Sequence, residues 1–249
     1  MTAAVEHPLT PDRRRAVVRQ ALSVGVATGA YGISFGALSV ASGLTVLQTQ
    51  VLSLLLFSGG SQFAVVGVLG AGGGGAAAVA TSTLLGVRNG LYALQTSRFL
   101  GVRGVRRLAA AQLTIDESTA VGLGQEERAA QRLGFWVTGL AVFTGWNLMT
   151  LAGALLGNAL GDPRAYGLDA AAAAAFAALL WPRLRSGDAA VTAVLAVVVA
   201  LVASPVLPAG VPVILAAAAA VVVGLRRPGR HESAPTAHAD DRPGADPLP

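Results

Sequence analysis

The chain has no cysteine and no lysine, and only 5% of its 249 residues are aromatic. Without cysteine there is no disulfide framework, no thiolate chemistry and no cysteine-based metal site. The three histidines, His7, His231 and His238, lie near the two ends, so neither a Ser-His-Asp triad nor a histidine metal site can be assembled within the middle. Charge is scarce as well. Asp, Glu, Lys and Arg make up 12% of residues, against about a quarter in an average globular domain. Enzyme readings lose their usual side chains here, and no metal or cofactor is expected.

Where the charge is missing matters more than the total. No Asp, Glu, Lys, Arg or His occurs between Arg19 and Arg88, between Arg132 and Asp162, or between Asp188 and Arg226. Such stretches hold roughly three, one and two helices of about 20 apolar residues, the length that crosses a hydrocarbon core about 30 Å thick. The expected class is therefore all-α: a polytopic integral membrane helix bundle of about seven spans (six to eight) with broken or re-entrant helices. Spans are placed at 20–43, 48–71, 76–97, 133–157, 165–182, 189–206 and 209–225. Residues 1–19 read as a cytoplasmic N-terminal tail, 20–226 as a transmembrane transporter domain and 227–249 as a disordered C-terminal tail. The apolar region after Arg19 runs far beyond the core of a signal peptide.

All 18 basic residues are arginine, and they cluster at the edges of the apolar stretches: Arg13, Arg14, Arg15 and Arg19; Arg98, Arg103, Arg106 and Arg107; Arg226, Arg227 and Arg230. Cytoplasmic loops concentrate positive charge in this way. The clusters read as topology determinants and not as a nucleic-acid face, despite a pI near 10.9. With the C-terminus inside, seven crossings would leave Arg13 to Arg15 outside, against the same rule. One more crossing or a re-entrant hairpin is expected, within 108–124 or in the glycine-broken region 25–62.

Gly25, Gly29, Gly32, Gly36 and Gly43, with Ser39, recur at steps of three and four. One smooth face of this kind lets two helix backbones touch, the usual packing device where no hydrophobic effect acts between helices. The alternative is that Gly32 to Gly36 unwinds and lines a cavity. Gly70, Gly72 and Gly75 match a dinucleotide-binding spacing, but they lie between two spans and read as a loop.

Four polar groups interrupt the apolar runs. Phe57-Ser58-Gly59-Gly60-Ser61-Gln62-Phe63 places two glycines and three hydrogen-bonding side chains inside the second span. That is a helix break, and transporters build substrate sites from the freed N–H and C=O groups of broken helices. The alternative is that the hydroxyls bond their own helix and Gln62 packs against a neighbour. Arg88 lies near the middle of the third span beside Asn89, where a charge costs about 3 kcal/mol on insertion scales. Its expected partner is Asp116 or Glu117, as substrate contact or as a structural pair. Those two acids also read as solvated loop residues, with Asp116 and Ser118 as helix caps. Asp169, ahead of a run of alanines, reads as an N-cap.

With these residues in view the chain resembles the AzlC family, the large subunits of bacterial branched-chain amino acid permeases. Gly32-Ile33-Ser34-Phe35-Gly36-Ala37, Ser42-Gly43-Leu44-Thr45, Phe57 to Phe63, Arg88-Asn89-Gly90-Leu91-Tyr92 and Thr114 to Ser118 follow the family's order and rough spacing. The likeness covers about residues 20–230. Family members often carry His where this chain has Asn89, and Ala where it has Gly60. The resemblance implies a multi-pass protein of the bacterial inner membrane that exports neutral amino acids together with a small AzlD-type membrane subunit. On that reading Ser58, Gly59, Gly60, Ser61, Gln62 and Phe35 bind substrate, and Arg88, Asn89, Asp116 and Glu117 form a gate, ion pair or proton relay. The competing readings are a non-catalytic assembly subunit and a transporter of another small polar solute.

Overall fold

The computed structural model describes residues 8–160 and 187–226, together with Ala177, Trp181 and Leu184. Asp169, most of the span expected at 165–182 and the expected tail at 227–249 lie outside the described residues. Every element among the described residues is a helix.

Helix α1 (Pro11–Ala30) and helix α2 (Gly32–Ala41) form one long rod interrupted at Tyr31. The rod starts where the local chemistry says it should: Thr10 Oγ1 accepts from the Arg13 N–H, Pro11 takes the first turn and Asp12 complements the helix dipole. Residues 11–19, expected as tail, are thus the first turns of a helix, because the cap at Thr10 outweighs the polarity of the arginines. There follow α3 (Val46–Leu55), α4 (Gly59–Gly70), α5 (Gly75–Leu100), α6 (Val105–Gln112), α7 (Asp116–Leu123), α8 (Arg128–Leu160), α9 (Gly187–Ala203) and α10 (Val211–Arg226). Among the described residues two stretches, Pro11–Ala41 and Arg128–Ala159, are long and apolar enough to cross a membrane.

The glycine stripe forms a seam between these two rods. A Cβ on Gly25 would fall on the Cβ of Ala141, one on Gly29 would stand 3.0 Å from Gly145, and one on Gly32 2.9 Å from the Trp146 carbonyl. A Cβ on Gly36 would overlap the Thr150 carbonyl, and from the other side one on Gly153 would overlap the Ile33 carbonyl. Residue numbers rise together along the seam, so the rods run parallel. Gly32 to Gly36 are helical, and the interruption falls at Tyr31 instead. Two expected members of the stripe lie elsewhere: Ser39 accepts from Thr49 Oγ1 at 2.9 Å, and Gly43 occupies the loop after α2 with φ +94°.

The segment 48–71, expected as a span, does not run from one end of the bundle to the other. Helix α3 leaves the loop 42–45, the chain breaks at 56–58, and α4 returns until Gly70 lies against Ser42, its Cβ position 2.6 Å from Ser42 Oγ. Helices α6 and α7 make a second such hairpin from the opposite end. Phe99, at the end of α5, lies 3.1 Å from the Cβ position of Gly122, at the end of α7, while Leu113 at the turn reaches Gly139 deep along α8. Each arm is 8 to 12 residues long, about 12 to 18 Å, or half a bilayer. The segments singled out as hiding an extra crossing, 108–124 and 25–62, thus overlap two hairpins, one from each end, which extend to Gly70 and begin at Val105.

The tips of the two hairpins touch, Gln112 Nε2 donating to the Leu54 carbonyl at 2.8 Å. One end of the bundle gathers the arginines: Arg13 pairs with Glu127 at 3.5 Å, and Arg128 and Arg132 donate to the carbonyls of Arg98 and Phe99 at 2.7 Å. The other end gathers the loops 42–45, 71–74 and 204–210, where Thr81 Oγ1 donates to the Gly210 carbonyl. Those three loops contain no charged residue.

The surface is inverted relative to a protein in water. Leu47, Leu55, Val79, Val87, Leu94 and Leu201 face outward, while Ser39, Thr49, Ser53, Ser61, Gln62, Thr138 and Thr150 are fully buried. Patches that apolar fit hydrocarbon surroundings better than water, and inward hydroxyls are the material of helix contacts there.

Candidate functional site

Both hairpin tips open on one cavity in the middle of the bundle, lined by Thr28, Tyr31, Phe57 to Gly60, Arg88, Asn89, Ile115 to Glu117, Val142 and Trp146. Its parts come from five places: the interruption at Tyr31, the break before α4, the middle of α5, the start of α7 and the middle of α8. Helices α4 and α7 both begin here. The first intrahelical bond of α4 runs from the Gln62 N–H to the Ser58 carbonyl at 2.9 Å. The N–H groups of Gly59, Gly60 and Ser61 lie ahead of it and carry the positive end of the helix dipole.

Arg88 Nη2 pairs with Asp116 Oδ2 at 3.1 Å, so one of the two acids answers the half-buried arginine. The guanidinium lies over Gly60, where a Cβ would stand 2.6 Å from Nη2. A side chain at 60 would require the end of the arginine to shift. Glu117 makes a weaker contact, accepting from Thr28 Oγ1 at 3.5 Å. The two acids are therefore not solvated loop residues: they open α7 and face the cavity, because the hairpin carries them inward.

Ser118 holds the α7 tip in shape. Its Oγ accepts from the Ile115 N–H at 3.1 Å and donates to the Leu113 carbonyl at 2.6 Å, half of a capping box. The α3–α4 tip lacks such a cap, for Ser58 Oγ is buried without a protein partner. Arg88 Nε, Asn89 Oδ1, Asp116 Oδ1 and Trp146 Nε1 are buried without one too. Buried polar atoms are normally satisfied, and five unsatisfied ones around a single cavity mark it as a place for a polar occupant. The space open to the centre of a water molecule is about 30 Å³, room for roughly two waters. An amino acid does not fit until the walls move.

Of the residues expected on the substrate, Ser58, Gly59 and Gly60 line the cavity, and so do Arg88, Asn89, Asp116 and Glu117. Ser61, Gln62 and Phe35 do not. Ser61 Oγ donates to the Ser82 carbonyl at 3.0 Å, and Gln62 Nε2 donates across the hairpin to the Ser53 carbonyl at 3.3 Å. The geometry of Gln62 is the packing alternative. Phe35 is fully buried one layer back, with ring centroids 5.5 Å from Phe63 and 5.9 Å from Trp146. The helical turn at Gly59 explains this pattern: residues 58–60 face the tip, and the next two rotate onto neighbouring helices. Sequence reasoning missed Tyr31, Trp146, Val142 and Thr28. Tyr31 and Trp146 stack edge to face at 4.9 Å and form the apolar wall. An aromatic between Ala30 and Gly32, inside the small-residue stripe, was the available signal for Tyr31.

A family model described as AzlC protein matches residues 23–160, more than half of the chain. The chain belongs to the AzlC family. The matched region contains both hairpins and every residue that lines the cavity. Membership in the AzlC family implies a role related to branched-chain amino acid transport and is that of a transporter-associated protein. No curated protein and no solved structure shows a significant match.

Proposed function

We propose that this AzlC-family chain is a multi-pass protein of the bacterial cell membrane and the large subunit of a two-component exporter of branched-chain and similar neutral amino acids. The carrying observation is the meeting of two half-helix hairpins, one from each end, at a small cavity lined by unsatisfied polar atoms and an aromatic wall. Interrupted helices meeting at the midplane are the site architecture of secondary transporters. A neutral amino acid needs donors for its carboxylate, acceptors for its ammonium and an apolar surface for its side chain. The glycine seam on α1 and α2 serves packing, but packing alone does not call for such a cavity.

The arginine-rich end is the cytoplasmic one. On this placement the α6–α7 hairpin enters from the cytoplasm and the α3–α4 hairpin from outside, and the transport domain covers 20–226. Alternating access consists of opening one hairpin tip at a time, with the Arg88–Asp116 pair as part of the gate. The small AzlD-type subunit covers part of the exposed apolar surface.

The test is efflux of preloaded valine, isoleucine, leucine and methionine from cells lacking their own exporters, with this chain expressed alone or beside its small neighbouring membrane protein. Faster efflux that requires both chains is the expected result. No efflux of any of the four, with both chains present in the membrane, would overturn the proposal.

A further inference from the structure

The cavity is electrically lopsided. Its lining holds one guanidinium, Arg88, against two carboxylates, Asp116 and Glu117. Arg88 and Asp116 answer each other at 3.1 Å. Glu117 forms no ion pair within the described residues; its carboxylate accepts from its own backbone N–H and from the Thr28 hydroxyl at 3.5 Å. A carboxylate held among apolar walls with so little compensation is costly, and an occupant bearing a fixed positive charge would restore balance.

The other side of the cavity has the opposite character. The Gly59 and Gly60 N–H groups stand free at the start of the 12-residue helix α4. Trp146 Nε1 and Ser58 Oγ line the same cavity, both without a protein partner, on residues 2% and 6% exposed. An indole nitrogen can only donate. Free N–H groups at a helix start, a buried indole N–H and a free hydroxyl make a receptacle for an anion. Tyr31, Phe57, Val142 and the Trp146 ring complete the lining, with Tyr31 and Trp146 against Gly59.

Resting on the transport reading above, we infer that the site holds a free α-amino acid in one orientation, its α-carboxylate on the Gly59 and Gly60 N–H groups and the Trp146 indole N–H, its α-ammonium on Glu117, and its side chain on the aromatic wall. Glu117 is thus a specificity-determining residue that admits α-amino acids and rejects the corresponding α-keto acids. Asp116, tied to Arg88, is a positioning residue.

The experiment is leucine counterflow in membrane vesicles containing this chain and its small neighbouring membrane protein, with isoamylamine and α-ketoisocaproate as competitors. Each competitor has lost one charged end of leucine, and a site that pairs both ends rejects either by at least about tenfold. The Glu117→Gln variant should raise the half-saturation for leucine at least about tenfold and leave that for α-ketoisocaproate unchanged or improved. Trp146→Phe should weaken leucine and α-ketoisocaproate alike while isoamylamine stays as it was. Wild-type vesicles in which α-ketoisocaproate or isoamylamine competes as well as leucine would overturn the orientation and leave amino acid transport standing. So would a Glu117→Gln variant with unchanged leucine half-saturation and an altered pH profile, which would make Glu117 a proton carrier. Absence of leucine counterflow in the wild type would overturn the transport reading and this one with it.

Discussion

The two re-entrant hairpins share a shape and differ in chemistry. Each sends one short helix inward, turns at the cavity and returns with the N-terminus of its second helix at the tip. The α3–α4 tip is uncharged, rich in glycine and free of side-chain caps, whereas the α6–α7 tip carries two acids and is stapled by Ser118. Equal geometry therefore gives two different ends to one cavity: a soft tip offering N–H groups, and a stiff one offering carboxylates. The contrast with the seam is as instructive. Between the two long rods, Gly36 and Gly153 bring backbones together so closely that a Cβ on either would overlap the partner's backbone, while on α4 a Cβ on Gly67 would meet nothing within 4 Å. Backbone-to-backbone packing belongs to the frame, and open space at a glycine to the hairpin arm.

The hardest blow to this contrast should come from the frame. Gly36→Val and Gly153→Val place a side chain on a partner backbone that cannot yield, and both variants should fail to accumulate as folded protein. Gly67→Ala should accumulate like the wild type; size-exclusion profiles of the detergent-extracted protein decide. A frame that tolerates valine at 36 would break the distinction.

A smaller effect is expected at the join between the tips. Arg88→Met leaves Asp116 buried without its partner, and transport should fall at least about tenfold. Adding Asp116→Asn should recover membrane abundance but not transport, because a neutral pair removes the stranded charge without restoring the gate. Transport and immunoblot measurements on both variants check this. Equal abundance of single and double variants would show that the pair carries no structural weight.

The smallest effects separate the tips themselves. Ser118→Ala removes the bond from the Ile115 N–H and the one to the Leu113 carbonyl, and should cost about 1 to 3 kcal/mol of stability. Ser58→Ala removes no protein hydrogen bond, so its unfolding temperature should stay put while the half-saturation for leucine rises. Thermal unfolding and counterflow on the two variants give the comparison, and a destabilised Ser58→Ala would reverse the assignment of soft and stiff tips.

Much of this was legible in advance. The long uncharged runs called for apolar helices, and the all-helical fold with an apolar outer surface is consistent with hydrocarbon surroundings. The arithmetic of the arginines called for a hidden hairpin or crossing within 108–124 or 25–62; the two hairpins overlap those regions, one running on to Gly70 and the other starting at Val105. The glycine steps required a close seam, and the cost of Arg88 required an acid beside it. Those conclusions rest on properties that each segment carries alone: composition, period and the cost of placing a charge in lipid.

Only the tertiary structure decided that 46–70 turns back instead of crossing, since a break and a bend have the same residues and differ in what the two arms pack against. It likewise decided that Gln62 faces Ser53 and not the cavity, and that Phe35 lies behind Trp146. The direction a side chain takes on leaving a helix break depends on the rotation of the next turn, which neighbours set. Trp146 and Val142, a hundred residues and more from Tyr31 in sequence, reach the site only because the glycine seam aligns α8 with the rod carrying Tyr31. Sequence alone determined the apolar helices, the glycine seam and the charge that had to be answered; the fold decided which groups are brought face to face, because contact across a bundle is a property of the whole packing and of no single helix.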